Sequence, residues 1–300
     1  MPTATARTAA QETIPLDVHR SPTMRAIVQD RYGSADVLRI EAIATPVPAD
    51  HEVLVRVHAA GLNHADAALM RGEPLVLRLA YGVRGPKVRV RGLDLAGVVE
   101  AVGSKVTAFS PGDEVYGQSE TGSFAEYAVV PERALAPKPA NLSFTEAAAV
   151  PVAASTALQG LRDVGKLQAG QSVLIEGASG GVGTFAVQIA KALRAEVTGV
   201  CSTRNVELVR SLGADHVVDY TRDDFTRSGE RYDLIFDLAG SRALNACRRV
   251  LTQNGTLVVS GGSGGRLFGP IGRILRALML SPFVWHFLDR HARAKIVIVA

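Results

Sequence analysis

The stretch "LIEGASGGVGTFAVQIAKAL", residues 174–193, decides how this chain is read. Between an apolar run and an amphipathic one it places Gly177, Ala178, Gly180, Gly181 and Gly183, with only Ser179 and Val182 between them. Small residues at a strand-to-helix turn let an anion reach backbone N–H donors. There the unpaired amides and the helix dipole both favour negative charge. In register the turn reads Ala178-x-Gly180-x-x-Gly183, a form of the dinucleotide fingerprint with alanine first. A tight strand–helix turn with no ligand is the plain alternative, and the flanking sequence counts against it. Val182, Phe185, Ala186, Ile189, Ala190 and Leu193 recur at the helical period on one face. The runs "SVLIE", "EVTGV", "HVVDY", "YDLIFDL" and "GTLVVSG" alternate with helical patterns, which implies parallel βαβ units.

Upstream the texture differs. In "EVLVRVHA" the residues Val53, Val55 and Val57 share one face, with Leu54, Arg56 and His58 on the other, the period of a half-buried strand. Similar runs recur at "MRAIVQD", "LAGVVEAVG", "DEVYGQ" and "FAEYAVVP", separated by Gly, Pro, Asp and Ser turns, so this part reads as a small barrel or sandwich. "FTEAAAVPVAASTALQGLRDV" is helical in character, interrupted near Pro151. The first 22 residues are rich in Thr, Ala and Pro and carry no periodic pattern, as expected of a disordered tail. A transit peptide is the alternative, resting on the single Arg7 before Glu12.

Composition narrows the function classes. The chain is 47% hydrophobic and 21% charged, with 33 basic against 29 acidic residues, a net +4. The basic residues are dispersed, which argues against a nucleic-acid partner. Cys201 and Cys247 alone make neither a disulfide framework nor a four-ligand zinc site, and a cytoplasmic location is expected. No apolar run approaches the roughly 18 residues of a membrane span, so no membrane partner is expected.

The second strand of the alternating series should supply the residue that reads the adenosine ribose. An NAD site usually has Asp or Glu there, whereas "VTGVCSTRN" offers Cys201, Ser202 and Arg204. A hydroxyl and a guanidinium with no acid suit a 2′-phosphate, so NADPH is the expected cofactor, with Tyr220 beside the same pocket. Arg204 as a merely solvated residue is the alternative. Cys201 reads as an inert strand-end thiol.

With "GLNHADAALMRG", "RGLDLAGVVEAVG", "FSPGDEVYG", "GSFAEYAVVP", "ASTALQGL" and "GASGGVGTFAVQIAKAL" in hand, the chain resembles the medium-chain dehydrogenase/reductase superfamily from about Met24 to Val284 and again at the C-terminus. The resemblance implies an α/β protein with a GroES-like β-rich catalytic domain, a doubly wound Rossmann sheet, and a cleft between them. The expected division is a tail over residues 1–23, a GroES-like domain over 24–146, a Rossmann NADPH-binding domain over 147–284, and a return segment to the catalytic domain over 285–300. Zinc members of the superfamily carry Cys, His and Glu where this chain has Asn63, Leu93 and Asp94. Leucine cannot ligate a metal, so no metal is expected, and His58, His64 and Asp66 read as ordinary polar residues.

Without a Lewis acid, quinones and α,β-unsaturated carbonyls are the fitting hydride acceptors, because the delivered charge delocalises. The resemblance likewise points to the zinc-free quinone oxidoreductase-like branch. It implies Asn63 as a hydrogen-bond donor to the substrate carbonyl or the nicotinamide and Asp66 as support for that loop. Loop capping is the alternative role for both. Thr156, Ala239, Gly240, Ser260 and Gly261 match positions near the nicotinamide half, and no general acid is evident, leaving the proton to solvent. At its end the sequence departs from the family, passing almost at once from Val284 to the terminal motif. Roughly 40 to 50 residues of the six-stranded plan are expected to be missing. That shortening puts in question one cleft wall and the edge strand used for dimers, which counts against a homodimer. "FGPIGRILRALML" has Ile271, Ile274, Leu275, Leu278 and Met279 at helical spacing and reads as a cleft-covering helix, with a membrane-surface helix as the alternative. The leading expectation is therefore an NADPH-dependent, zinc-independent reductase of quinones or enones. The alternatives are a zinc-type alcohol or ketone dehydrogenase and an NADPH-binding regulatory member without turnover.

Overall fold

The computed structural model describes residues 22–260 and, as backbone, Lys295–Ile298. Nearly all of the expected tail, Gly261, and the 268–280 stretch read as a helix lie outside the described residues.

Two strands, β1 (Thr23–Val28) and β2 (Arg39–Ala44), form an antiparallel pair of their own. A second sheet is built from β3 (Glu52–Gly61), β4 (Asp94–Val102), β5 (Glu114–Gln118), β6 (Tyr127–Pro131) and β7 (Leu135–Pro137), in the antiparallel order β6-β3-β4-β5-β7. Between β3 and β4 run α1 (His64–Arg71) and the single turn α2 (Arg78–Tyr81). On β3 the period holds for Val53 and Val55, both fully buried, but Leu54 on the opposite face is fully buried too. That face is covered by packing that a single-strand pattern does not reveal. The helical stretch that follows splits into α3 (Phe144–Ala148) and α4 (Pro151–Leu158), with Pro151 at the first position of α4, where its missing N–H costs nothing.

The second part alternates β8 (Ser172–Glu176), α5 (Gly181–Ala192), β9 (Glu196–Cys201), α6 (Val206–Ser211), β10 (His216–Asp219), β11 (Tyr232–Asp237), α7 (Leu244–Arg249) and β12 (Leu251–Val259). With β13 (Lys295–Ile298) they form a parallel sheet in the order β10-β9-β8-β11-β12-β13. This is the doubly wound arrangement, and the order reverses between β8 and β11. Both faces are covered. Val173 and Ile175 pack with Ala186, Val187 and Ala190 of α5, while Leu174 faces a second cluster with Ile235, Leu257 and Cys247. Burial on both sides explains why these strands read as continuous apolar runs rather than alternating ones.

The return to the β-rich part expected of residues 285–300 does not hold for Lys295–Ile298, which pair in parallel with β12, from Thr256↔Lys295 to Val259↔Ile298. The run "KIVI" is apolar and mostly β-branched, and β12 would otherwise present an unpaired edge. The sixth place in the sheet, expected to be vacant, is filled.

Candidate functional site

At the end of β8 the chain turns through Gly177, whose φ of +85° lies in the region that favours glycine. The Gly177 and Ala178 N–H groups both donate to the Val200 carbonyl on β9, at 3.1 and 3.0 Å. That anchors the turn to the neighbouring strand. Ala178 is fully buried, with its Cβ 3.1 Å from the position a Cβ would take on Gly199, so a larger residue there would part turn from strand. A Cβ on Gly183 would stand 2.1 Å from the Gly177 carbonyl oxygen, which is why the third small residue of the turn carries no side chain. Gly180 caps α5, and Gly180 and Gly181 are exposed, with open space where a Cβ on Gly181 would lie. The first N–H groups of α5, from Gly181, Val182 and Gly183, have no intrahelical acceptor. A dinucleotide diphosphate fits this cradle on its donors and its room.

The end of β9, where the sequence leads one to expect the ribose to be read, is organised by a residue that the sequence did not single out. Asn205 Nδ2 donates to Ser179 Oγ at 3.0 Å and to Ser202 Oγ at 3.2 Å, tying the glycine turn to the end of β9. Arg204 sits in the same short turn, exposed. Tyr220 is 52% exposed, and its N–H donates to the Cys201 carbonyl at 3.0 Å, which places it at the end of β9. Cys201 is buried, and desolvation pushes its thiol up, so it stays protonated. An acid also stands near. Asp219, at the end of β10, accepts from Thr203 Oγ1 at 2.6 Å and Thr221 Oγ1 at 2.7 Å, and these hydroxyls hold it below the usual carboxylate range.

In the antiparallel part Asn63 precedes α1, and its N–H donates to Asp66 Oδ2 at 2.7 Å. Its side-chain Nδ2 donates to Asp94 Oδ2 at 3.0 Å. One amide hydrogen, expected to face a substrate, is thus engaged by Asp94, and the other remains to act as donor. Asp94 is fully buried and also accepts the Val152 N–H at the start of α4, at 3.1 Å. Burial raises its carboxyl to about 6 against the pull of Asn63 and Val152, with the Asp66 charge adding to the rise. Asp66 is itself buried and raised by desolvation. Among the described residues its Oδ1 has no donor and the buried Nε of neighbouring Arg91 has no acceptor. Thr156 lies one turn beyond Val152, its hydroxyl donating to the Val152 carbonyl at 2.7 Å. Asn63, Asp94 and α4 are therefore one connected unit. Asn63 carries an amide where a zinc site needs a ligating thiolate, and that amide is turned onto a carboxylate, so the donor set does not suit zinc.

The structure also brings the 238–241 loop against the glycine turn. A Cβ on Gly177 would lie 3.6 Å from Ala239 Cβ. The Gly240 N–H donates to Asp237 Oδ1 at 2.6 Å, and the Ser260 N–H donates to the Asp237 carbonyl at 3.1 Å. Glu176 and Asp237, neither singled out by sequence, lie buried beneath these loops. Charged residues that end apolar strand runs, as in "VLIE" and "LIFD", were the available signal.

Residues 49–140 match the alcohol dehydrogenase GroES-like domain, and residues 181–280 match the zinc-binding dehydrogenase family. The chain is 37% identical over 272 residues to a 2-methylene-furan-3-one reductase of Solanum lycopersicum, covering 87% of this chain and 66% of that protein. It is 38% identical over 252 residues to a chloroplastic NADPH-dependent alkenal/one oxidoreductase of Arabidopsis thaliana, covering 80% and 63%. The chain thus spans just under two thirds of the length of these plant relatives. To a quinone oxidoreductase of Lama guanicoe it is 34% identical over 250 residues, covering 80% and 74%. The solved quinone oxidoreductase from Coxiella burnetii superposes with a TM-score of 0.76 at 27% identity, over 93% of this chain and 83% of that one. The chain belongs to the medium-chain dehydrogenase/reductase superfamily, in its zinc-free quinone oxidoreductase-like branch.

Proposed function

We propose that this chain is an NADPH-dependent, zinc-independent reductase that passes hydride to a quinone or an α,β-unsaturated carbonyl. The observation that carries this reading is the pairing of an open glycine cradle at the start of α5 with an Asn63–Asp94 contact at the metal-ligand positions of zinc relatives. The names of the plant and camelid relatives, an enone reductase, an alkenal/one oxidoreductase and a quinone oxidoreductase, support the same substrate class.

In this reading the division at residues 24–146 and 147–284 separates substrate from cofactor functions. Ala178, Ser179, Gly180, Gly181, Val182 and Gly183 receive the diphosphate on backbone donors. Ser202 and Arg204 hold the 2′-phosphate, with Tyr220 alongside. Thr156, Ala239, Gly240 and Ser260 line the nicotinamide half. When bound, the cofactor supplies a hydride. Asn63 offers its free amide hydrogen to the substrate carbonyl oxygen, where negative charge accumulates as the hydride reaches the β-carbon. Asp94 fixes the plane of that amide and Asp66 fixes its backbone. The enolate then takes a proton from water at the α-carbon.

The test is oxidation of NADPH and of NADH with an ortho-quinone and a simple enone after chelator treatment. Chelator-resistant, NADPH-selective turnover is the expected result. Stoichiometric zinc with chelator-sensitive alcohol oxidation would overturn it in favour of a zinc-type dehydrogenase. NADPH binding without turnover on either acceptor would instead assign a regulatory role.

A further inference from the structure

A buried carboxyl pair stands under the cofactor loops, and its role rests on the cofactor-binding reading above. Strands β8 and β11 are the pair across which the strand order reverses, and a doubly wound sheet takes its ligand in the crevice at that point. Glu176 and Asp237 end these two strands and stand in register as partners. Glu176 is 2% exposed and Asp237 fully buried.

What hangs from them is the loop system above. Glu176 Oε1 accepts the Ser241 hydroxyl through a short contact and the Ser241 N–H at 3.2 Å. Asp237 accepts the Gly240 N–H at 2.6 Å. Their carbonyls take the N–H groups of Leu238 and Ser260, each at 3.1 Å. Among the described residues no donor reaches the buried Glu176 Oε2, and Asp237 is the acidic neighbour that acts on it. Two buried carboxyls so placed cannot both ionise without strong repulsion, and a single proton between them removes it.

We propose that Glu176 and Asp237, sharing one proton, are positioning residues that hold the 238–241 loop and Ser260 against the nicotinamide half of the dinucleotide, so that losing the proton weakens cofactor binding. Burial first, and the Asp237 charge second, raise Glu176 to about 7, which sets the range in which this occurs. On the described elements around the pair, the glycine turn after β8 carries no charge, the loop contributes the Ser241 hydroxyl, and the Arg242 guanidinium beyond it donates to Asp224 Oδ1 at 3.3 Å. Cys201 on β9 and Asp219 on β10 act on one another.

The test uses Glu176→Gln and Asp237→Asn. Each amide keeps an acceptor oxygen and supplies a fixed N–H in place of the shared proton. NADPH dissociation constants are measured by cofactor fluorescence from pH 6.5 to 9. The unaltered protein should weaken by about fivefold or more across this range, while both amide variants match it at pH 6.5 and change by less than about twofold. Parallel curves for all three overturn the proposal, as does a folded variant that has already lost binding at pH 6.5. Thermal unfolding without NADPH gives a second readout, in which the unaltered protein should lose stability relative to both variants as pH rises. A constant gap there overturns the shared proton by itself. Absence of NADPH binding by the unaltered protein at every pH would overturn the cofactor reading, and the positioning role with it.

Discussion

Replacing two glycines of the same turn, Gly180 and Gly183, should separate folding from cofactor binding. At Gly183 an added Cβ would stand 2.1 Å from the Gly177 oxygen and 2.8 Å from Ala178 backbone atoms, contacts that no side-chain rotation relieves. Overpacking of this kind costs about 3 kcal/mol, and the gain in helix propensity from Gly to Ala recovers about 1. Gly183→Ala should therefore destabilise the protein by about 2 kcal/mol in urea unfolding followed by far-UV circular dichroism. At Gly180 the nearest atom to an added Cβ is the Gly177 oxygen at 3.3 Å, and its φ of −80° suits alanine. The stability loss should stay under about 1 kcal/mol, the cost of a poorer helix cap. The methyl group, however, would stand off the diphosphate from its donors. Gly180→Ala should then weaken NADPH binding at least about tenfold, or 1.4 kcal/mol, in a fluorescence titration of a folded protein. A folded Gly180→Ala variant that binds NADPH within twofold of the unaltered chain would refute the claim that this turn cradles a diphosphate.

Two further outcomes follow from other residues. Arg204→Ala should weaken NADPH binding by about 1 to 3 kcal/mol, typical of a lost charged hydrogen bond, and leave NADH nearly unchanged. Equal losses for both cofactors would remove Arg204 from the 2′-phosphate site. Asp94 has a raised carboxyl, from 3.8 to about 6, so its neutral form is favoured in the fold and its contribution to stability is lost as pH rises through that interval. The stability of Asp94→Asn relative to the unaltered protein should accordingly climb by about 2 kcal/mol between pH 4 and 7. A flat difference in urea unfolding across that range would show that Asp94 titrates normally.

Much of the architecture could be read from the chain because it depends on local pattern. The glycine spacing, the helical period after it and the strand-like runs before it each need only neighbouring residues, and they place the turn at the start of α5. Contacts between distant residues left no such trace. Asp94 could be recognised as a departure from the zinc pattern, but its bond to the Val152 N–H joins positions 58 apart. The Glu176–Asp237 pair depends on β11 lying beside β8, which sheet order decides and strand composition does not. Asn205 lies beside residues that were singled out, yet its two-way bond to Ser179 and Ser202 appears only when the turn and the end of β9 are brought together. The place of "KIVI" near the C-terminus is illegible for the same reason, since an apolar strand does not declare which open edge it will join.

The Asp94 carboxylate also bears on modularity. It caps α4, the helix that leads into β8, although it belongs to a strand of the antiparallel sheet. Its other bond orients Asn63. The dinucleotide half expressed alone would leave the Val152 amide without its acceptor, and the antiparallel half alone would keep a buried acid missing one of its donors. Exchanging either half with that of a relative would succeed only where the partner brings a matching acid and a matching helix start, so the two halves of this chain are constrained to change together.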